Sequence, residues 1–179
     1  MRRPAPQAQI AVMAERSSSP RTDPFRPTDE DARALARRLL AEARHGALGV
    51  IDAGSGAPLV TRVAVGWDGT APLVLASTLA AHTQALLADG RCSLLVGEPG
   101  ARGDPLTHPR LSVQGRAEAT DKVALRALWL RDHPKAALYY DFADFMLFRV
   151  MPSGGLLNAG FGRAYRLAPD DLAVPSARA

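Results

Sequence analysis

The chain has 179 residues and a mass of 19.0 kDa, which suits one domain with a substantial core but not two ordinary domains. Hydrophobic residues make up 47% and charged residues 22%, and no apolar run approaches the roughly 18 residues that cross a bilayer, which argues against a membrane protein. The formal charge is +4. Residues 1–28 carry most of this charge, so the remaining chain lacks the basic face that binds nucleic acid.

The first 27 residues are rich in proline and serine and show no helical or strand periodicity. We predict a disordered basic leader over residues 1–27 and one domain over residues 28–175. No apolar segment with a cleavage site follows the two N-terminal arginines, which predicts a cytoplasmic protein. Thr28 precedes acidic residues and leucines at helical spacing, so we expect it to cap a first helix that ends at Gly46.

After this helix the chain shows short apolar runs separated by turn residues, a texture typical of strands in hairpins. The expected strands are Ala47–Asp52, Leu59–Trp67, Pro72–Ser77, Arg91–Val96, Leu111–Ala119, Phe145–Met151 and Phe161–Leu167, with a glycine-rich loop over residues 153–160. Helical segments are expected at Leu79–Ala88 and Lys122–Arg131. This order predicts a mainly β protein, a small barrel with helices packed outside.

Motifs of the common nucleotide-binding and hydrolytic folds are absent from the sequence, which has no glycine-rich dinucleotide fingerprint, phosphate loop, zinc-protease motif or nucleophile elbow. The single cysteine, Cys92, excludes an internal disulfide and a cysteine-rich zinc site. Because Cys92 opens an apolar run, we expect it to be a core thiol.

The most specific stretch runs from Leu73 to Arg116. Small hydroxyls and an imidazole lie where a strand ends and a helix begins, and an arginine opens a later strand; such groups hold anions well. These residues are Ser77, Thr78, His82, Thr83 and Arg110, to which the preceding strand adds Thr61 and Arg62. Taken singly, each is better explained as a helix cap or a surface polar group.

Taken in order, the segments PLVLASTLAAHTQALLADGRCSLLVGEPGARGDPLTHPRLSVQGRAE, GALGVIDAGSGAPLVTRVAVGWD and NAGFGRAYRL resemble the FMN-binding split-barrel proteins related to pyridoxamine 5′-phosphate oxidase. The branch that includes haem-utilisation proteins is the most similar. The resemblance runs from about Asp31 to Leu172. It implies a split β-barrel that forms a homodimer with two FMN sites at the interface, and an oxidoreductase acting on a small-molecule substrate.

The resemblance also implies which residues bind the cofactor. The strand carrying Thr61, Arg62 and Val63 would lie along the flavin. Ser77, Thr78, His82 and Thr83 would lie near its ribityl chain and phosphate, and Arg110 near its ring. The segment with Asn158, Phe161 and Arg163 would approach the cofactor, often from the partner subunit. No catalytic residue and no metal site are predicted.

Two departures from the family pattern limit the transfer. His82-Thr83 replaces the arginine-lysine pair that holds the flavin phosphate in the oxidase, and no histidine follows His133, which argues against vitamin B6 oxidation. Haem is the alternative cofactor. The C-terminal region lacks the axial histidine of haem-degrading relatives, so iron would need His45, His82, His108 or His133. A cofactor-free binding module is the third possibility.

Asp141 and Asp144 are three residues apart in a segment rich in aromatic residues. Their spacing would suit a pair of carboxylates on one helical turn. No matching acid or ligand set stands nearby, so we interpret this segment as an aromatic lid or a dimer contact rather than an acid/base pair.

Overall fold

The structure is a computed structural model and describes residues 23–175. Its strands are β1 (Phe25–Arg26), β2 (His45–Ile51), β3 (Pro58–Trp67), β4 (Pro72–Ser77), β5 (Arg91–Val96), β6 (Arg110–Ala119), β7 (Phe145–Asn158) and β8 (Ala164–Leu167). Its α-helices are α1 (Glu30–Glu42), α2 (Ala81–Ala88), α3 (Arg126–Asp132) and α4 (Pro169–Leu172), and short 3₁₀ helices cover Pro105–Thr107 and Pro134–Leu138.

Six antiparallel strands close into a barrel in the order β7-β4-β3-β2-β5-β6, because β6 also pairs with β7. Outside the barrel, β8 adds to β7 and the two-residue β1 runs parallel to β8. The predicted mainly β fold, a split barrel with flanking helices, is confirmed.

The barrel is open along one seam. The β3–β4 ladder runs only from Trp67↔Pro72 to Val65↔Val74, whereas β2 pairs with β3 as far as Pro58. The first seven residues of β3 therefore have a strand partner on one edge only. Helix α2 follows β4 at this seam and packs against β2 and β3.

The core lies inside the barrel and beneath α1. Inward-facing Leu48, Leu94, Val113 and Phe148 are almost fully buried. Helix α1 closes one side with the face formed by Ala32, Ala36 and Leu40. A second apolar cluster lies on the outer surface of β4 and β7, where α3 and the following 3₁₀ helix pack; it contains Leu73, Leu75, Trp129, Ala136, Tyr140 and Leu147.

The prediction of a glycine-rich loop over residues 153–160 is wrong, because β7 continues without a break to Asn158. Glycine serves here to let two strands approach closely. The β6–β7 register shifts between Gln114 and Gly115, and a Cβ on Gly115 would lie 2.1 Å from the Met151 carbonyl oxygen. Strand β8 accordingly starts at Ala164 rather than Phe161.

The start of the ordered domain also differs from the prediction. Asp29, not Thr28, caps α1 by accepting a hydrogen bond from the Ala32 amide, while the Thr28 hydroxyl donates to the Arg166 carbonyl. Most of the predicted leader lies outside the described residues, but Phe25–Arg26 within it form β1. Helix α1 ends at Glu42, before Gly46.

Candidate functional site

The predicted site residues fall into two groups, and one member of each lies at an opposite end of β7. Ser77 pairs with Phe145, the first residue of this 14-residue strand, and Arg110 pairs with Asn158, its last. We call the residues beside the seam the seam group: Thr61, Arg62, Val63, Ser77, Thr78, His82 and Thr83. We call the others the loop group: Arg110, Asn158, Phe161 and Arg163. The length of β7 therefore separates Ser77 from Arg110 within one chain.

Strand β3 positions the first part of the seam group. Alternation along the strand turns Val63 into the core and leaves Arg62 exposed on the outer face. Arg62 forms no ion pair within residues 23–175. The Thr61 hydroxyl is buried and has no hydrogen-bond partner in the described structure.

The second part of the seam group occupies the turn from β4 into α2. The Ser77 hydroxyl donates to Asp144 Oδ2 over 2.7 Å and accepts from the Leu79 amide over 3.1 Å. The Thr78 amide donates to the Asp144 carbonyl over 2.7 Å. This turn is therefore joined to the segment that precedes β7.

Helix α2 then places His82 and Thr83 in different surroundings. His82 is three and four residues before the buried Ala85 and Leu86, so it lies on the same helix face. Its ring is half-buried, and burial lowers its pKa from the usual 6.5. Thr83 is 0% exposed, and its hydroxyl has no hydrogen-bond partner within the described residues.

The loop group is more exposed and is held by backbone contacts. The Arg110 guanidinium donates to the Leu106 carbonyl over 2.8 Å, and the Arg163 guanidinium donates to the Ala159 carbonyl over 2.7 Å. Asn158 accepts from the Gly160 amide through its side chain. Phe161 projects from this turn with 94% of its surface exposed.

Between the two groups, the outer face of the sheet carries small and apolar side chains. The strand register places Ala47, Leu95, Ser112 and Leu156 in one row across β2, β5, β6 and β7. Leu95 is 40% exposed, and Val60 on β3 is 66% exposed. A shallow depression of about 310 Å³ lies on β2 and β5, lined by Gly49, Ser93 and the half-buried Cys92.

Cys92 is not poised for chemistry, since burial raises the pKa of its thiol to about 11. A groove of about 510 Å³ lies elsewhere, between α1 and the β5–β6 connection. It borders neither Ser77 nor His82.

Asp141 binds the Arg126 guanidinium, whereas Asp144 binds Ser77, so the two carboxylates do not act as a pair. The contact of Asp144 with Ser77 could not be predicted from local sequence pattern, because 67 residues separate the two.

Comparisons with known proteins show what this chain is similar to. No protein-family model matches the chain. A curated relative, the chloroplastic non-canonical heme oxygenase HOZ of Arabidopsis thaliana, is 39% identical over 102 residues, 55% of this chain and 30% of the relative. The chain thus spans less than a third of the length of that relative.

Within the described residues, no helix is long and apolar enough to cross a membrane.

Solved structures agree in fold. One is 48% identical, with a TM-score of 0.79, over 84% of this chain and all of its own. A heme binding protein from Mycobacterium smegmatis is 28% identical, with a TM-score of 0.74, over 83% of this chain and 61% of that one. A Clostridium acetobutylicum protein of the pyridoxinephosphate oxidase family, 15% identical over 81% of this chain and 99% of that one, shares the fold with a TM-score of 0.62. This chain therefore has the fold of the split-barrel proteins related to pyridoxamine 5′-phosphate oxidase, and its sequence is similar to those of a heme oxygenase and a heme binding protein.

Proposed function

We propose that this protein binds haem at the barrel seam, in a homodimer in which the loop group of one protomer faces the seam group of the other. The observation that carries the proposal is His82, a half-buried imidazole beside the seam with no hydrogen-bond partner in the described part of the chain. The names of two relatives support haem, since the Arabidopsis protein is a heme oxygenase and the mycobacterial protein binds heme.

The residues at the seam fit a haem. Burial lowers the pKa of His82, so at neutral pH its ring is uncharged and offers a lone pair to iron. Arg62, exposed and without an ion pair in residues 23–175, is suited to a haem propionate, because arginine pairs strongly with carboxylates. Bound haem supplies redox and oxygen chemistry at iron, and these side chains bind and orient it.

The other histidines of the chain are less suitable ligands. Both ring nitrogens of His108 lie within hydrogen-bond distance of backbone groups, the Gly100 amide and the Arg102 carbonyl. His133 contacts the Val65 carbonyl and stacks on Trp129. His45 lies 3.2 Å from Glu98 at the groove beside α1. His82 is therefore the histidine that we assign to iron.

A dimer would complete the site because neither group is sufficient alone. The loop group lies at the far end of β7 from the seam, and Phe161 is too exposed to serve the core of its own protomer. The small and apolar outer face between the groups is suited to burial against a second copy, since interface cores are poor in charged residues. Phe161, Arg110 and Arg163 would then supply an apolar wall and positive charge to the partner's seam.

FMN is the second candidate, favoured by the buried Thr61 hydroxyl that lacks a partner on the edge of β3. The protein would then be an FMN-dependent oxidoreductase that acts on a small molecule in the cytoplasm. In both cases we propose that residues 28–175 form the functional domain.

The test is a hemin titration of the full chain, followed by absorbance. Wild type should show a saturable, sharpened Soret band at one haem per protomer, and His82→Ala should lose that band shape and about tenfold or more in affinity, which corresponds to ~1.4 kcal/mol. His108→Ala serves as the matched control and should behave as wild type. Identical spectra for wild type and His82→Ala would refute the assignment. A protein that ignores hemin but turns yellow with FMN would favour the second candidate.

A further inference from the structure

Asp144 places a carboxylate at the corner where β4 ends and α2 begins. Its Oδ2 atom accepts the proton of the Ser77 hydroxyl at 2.7 Å, and its carbonyl oxygen accepts the Thr78 amide. Two adjacent residues of the seam group are thus bound by one acidic residue that comes from a distant part of the sequence. This arrangement fixes which hydrogen-bonding groups remain available to a ligand.

Two donors at this corner, the Ser77 hydroxyl and the Thr78 amide, are already occupied. A hydroxyl has a single proton to donate, and Ser77 gives its proton to Asp144 while it accepts from the Leu79 amide. The Thr78 amide is used as well, and the Gln84 side chain donates to the Thr78 carbonyl. A phosphate needs donors, and the proton of the Ser77 hydroxyl, which the sequence predicted for it here, is turned to Asp144 instead.

The charge at the corner is also unfavourable to an anion. Asp144 forms no ion pair within residues 23–175, because the neighbouring cation, Lys122, is held by the carbonyls of Phe142 and Phe145. At Ser77, the first residue that the family resemblance assigns to the flavin phosphate, a ligand therefore meets an uncompensated carboxylate.

We infer that Asp144 is a specificity-determining residue that disfavours a phosphate at this corner of the seam. The inference rests on the proposed position of the ligand at the seam. The ligands that it favours are planar molecules that carry no phosphate where they meet the turn from β4 into α2. Such a ligand can present an O–H or N–H group to the free lone pairs of Asp144. FMN and riboflavin differ only by the phosphate, so they measure the effect directly.

The experiment measures the dissociation constants of FMN and riboflavin by flavin fluorescence quenching for wild type, Asp144→Asn and Asp141→Asn. Wild type should bind riboflavin at least as tightly as FMN. Asp144→Asn keeps the shape of the side chain and an acceptor for Ser77 but removes the charge, so FMN affinity should rise about tenfold and riboflavin affinity less than threefold. Asp141→Asn removes a carboxylate that binds Arg126 and should leave the ratio unchanged.

Ser77→Ala separates the charge from the hydrogen bond. It removes the donor and keeps the carboxylate, so the ratio of FMN to riboflavin affinity should stay as in wild type. Wild-type binding of FMN tenfold tighter than riboflavin would overturn the inference, as would an equal loss of both ligands in Asp144→Asn or no FMN binding by that variant. The hemin titration is independent: a Soret band with an unchanged flavin ratio would leave haem binding standing and refute the role of Asp144.

Discussion

The seam group and the loop group differ in how far the monomer fixes them. At the seam, Ser77 and Thr78 are bound to Asp144, and Thr83 is entirely buried, so this half of the site is organised within one chain. In the loop group, the side-chain hydrogen bonds of Arg110 and Arg163 within residues 23–175 go to backbone carbonyls, and Phe161 is almost fully exposed. Rigid support on one side and exposed aromatic surface on the other are what a site shared between two copies requires.

The largest effect is expected from a charge placed on the outer face of the sheet between the two groups. Leu95→Arg would bury a guanidinium without a partner in the proposed interface, so the dimer should weaken by about 100-fold or more. Sedimentation velocity over a range of concentrations measures the association. Leu138→Arg, an 80% exposed leucine at the end of the 3₁₀ helix Pro134–Leu138 and outside the face between the two groups, is the control and should not change it. Wild type that sediments as a monomer at high concentration would contradict the shared site.

Removing the exposed aromatic ring tests the loop group itself. Phe161→Ala should lower haem affinity about tenfold, because the ring would contact the ligand of the partner, yet change the free energy of unfolding by less than about 0.5 kcal/mol. Hemin titration and chemical denaturation measure the two quantities. Val123→Ala truncates another exposed side chain, 81% accessible, and should affect neither. An equal loss of stability and affinity would assign Phe161 to folding instead.

The buried hydroxyl of Thr83 gives a smaller effect of opposite sign. Valine has nearly the same shape and carries no hydroxyl, so Thr83→Val relieves an unsatisfied buried group and should stabilise the protein by ~1 kcal/mol. Haem affinity should stay within twofold, since a side chain that is 0% exposed does not face the seam surface. Thermal denaturation and hemin titration provide the measurements. A large loss of haem affinity would place Thr83 in the binding surface.

Much of the fold was predictable from local pattern, but the division of the site was not. Turn residues and apolar runs located β4 and β5 to the residue. Local pattern failed at residues 153–160, where the glycines suggest a loop but Gly154 and Gly155 continue β7 in pairing with β6 and β8. The sequence grouped Arg110 with Ser77 among the residues suited to hold one anion. Strand pairing, which joins β2 to β5 and β6 to β7, sets them apart.

The smallest effect is the pH dependence of the seam group, and its sign follows from His82. Burial lowers the pKa of this imidazole below 6.5 in the folded chain, so below pH 6.5 the unfolded chain binds a proton that the folded chain does not. Stability should therefore be lost as the pH falls from about 6.5 through the lowered pKa, by less than ~1 kcal/mol. Urea denaturation of wild type and His82→Gln between pH 7.5 and 5.5 isolates this contribution, with His108→Gln as the control. If wild type and His82→Gln lose stability in parallel, the ring is not held neutral by burial, and the assignment of His82 as a neutral ligand at the seam loses its physical basis.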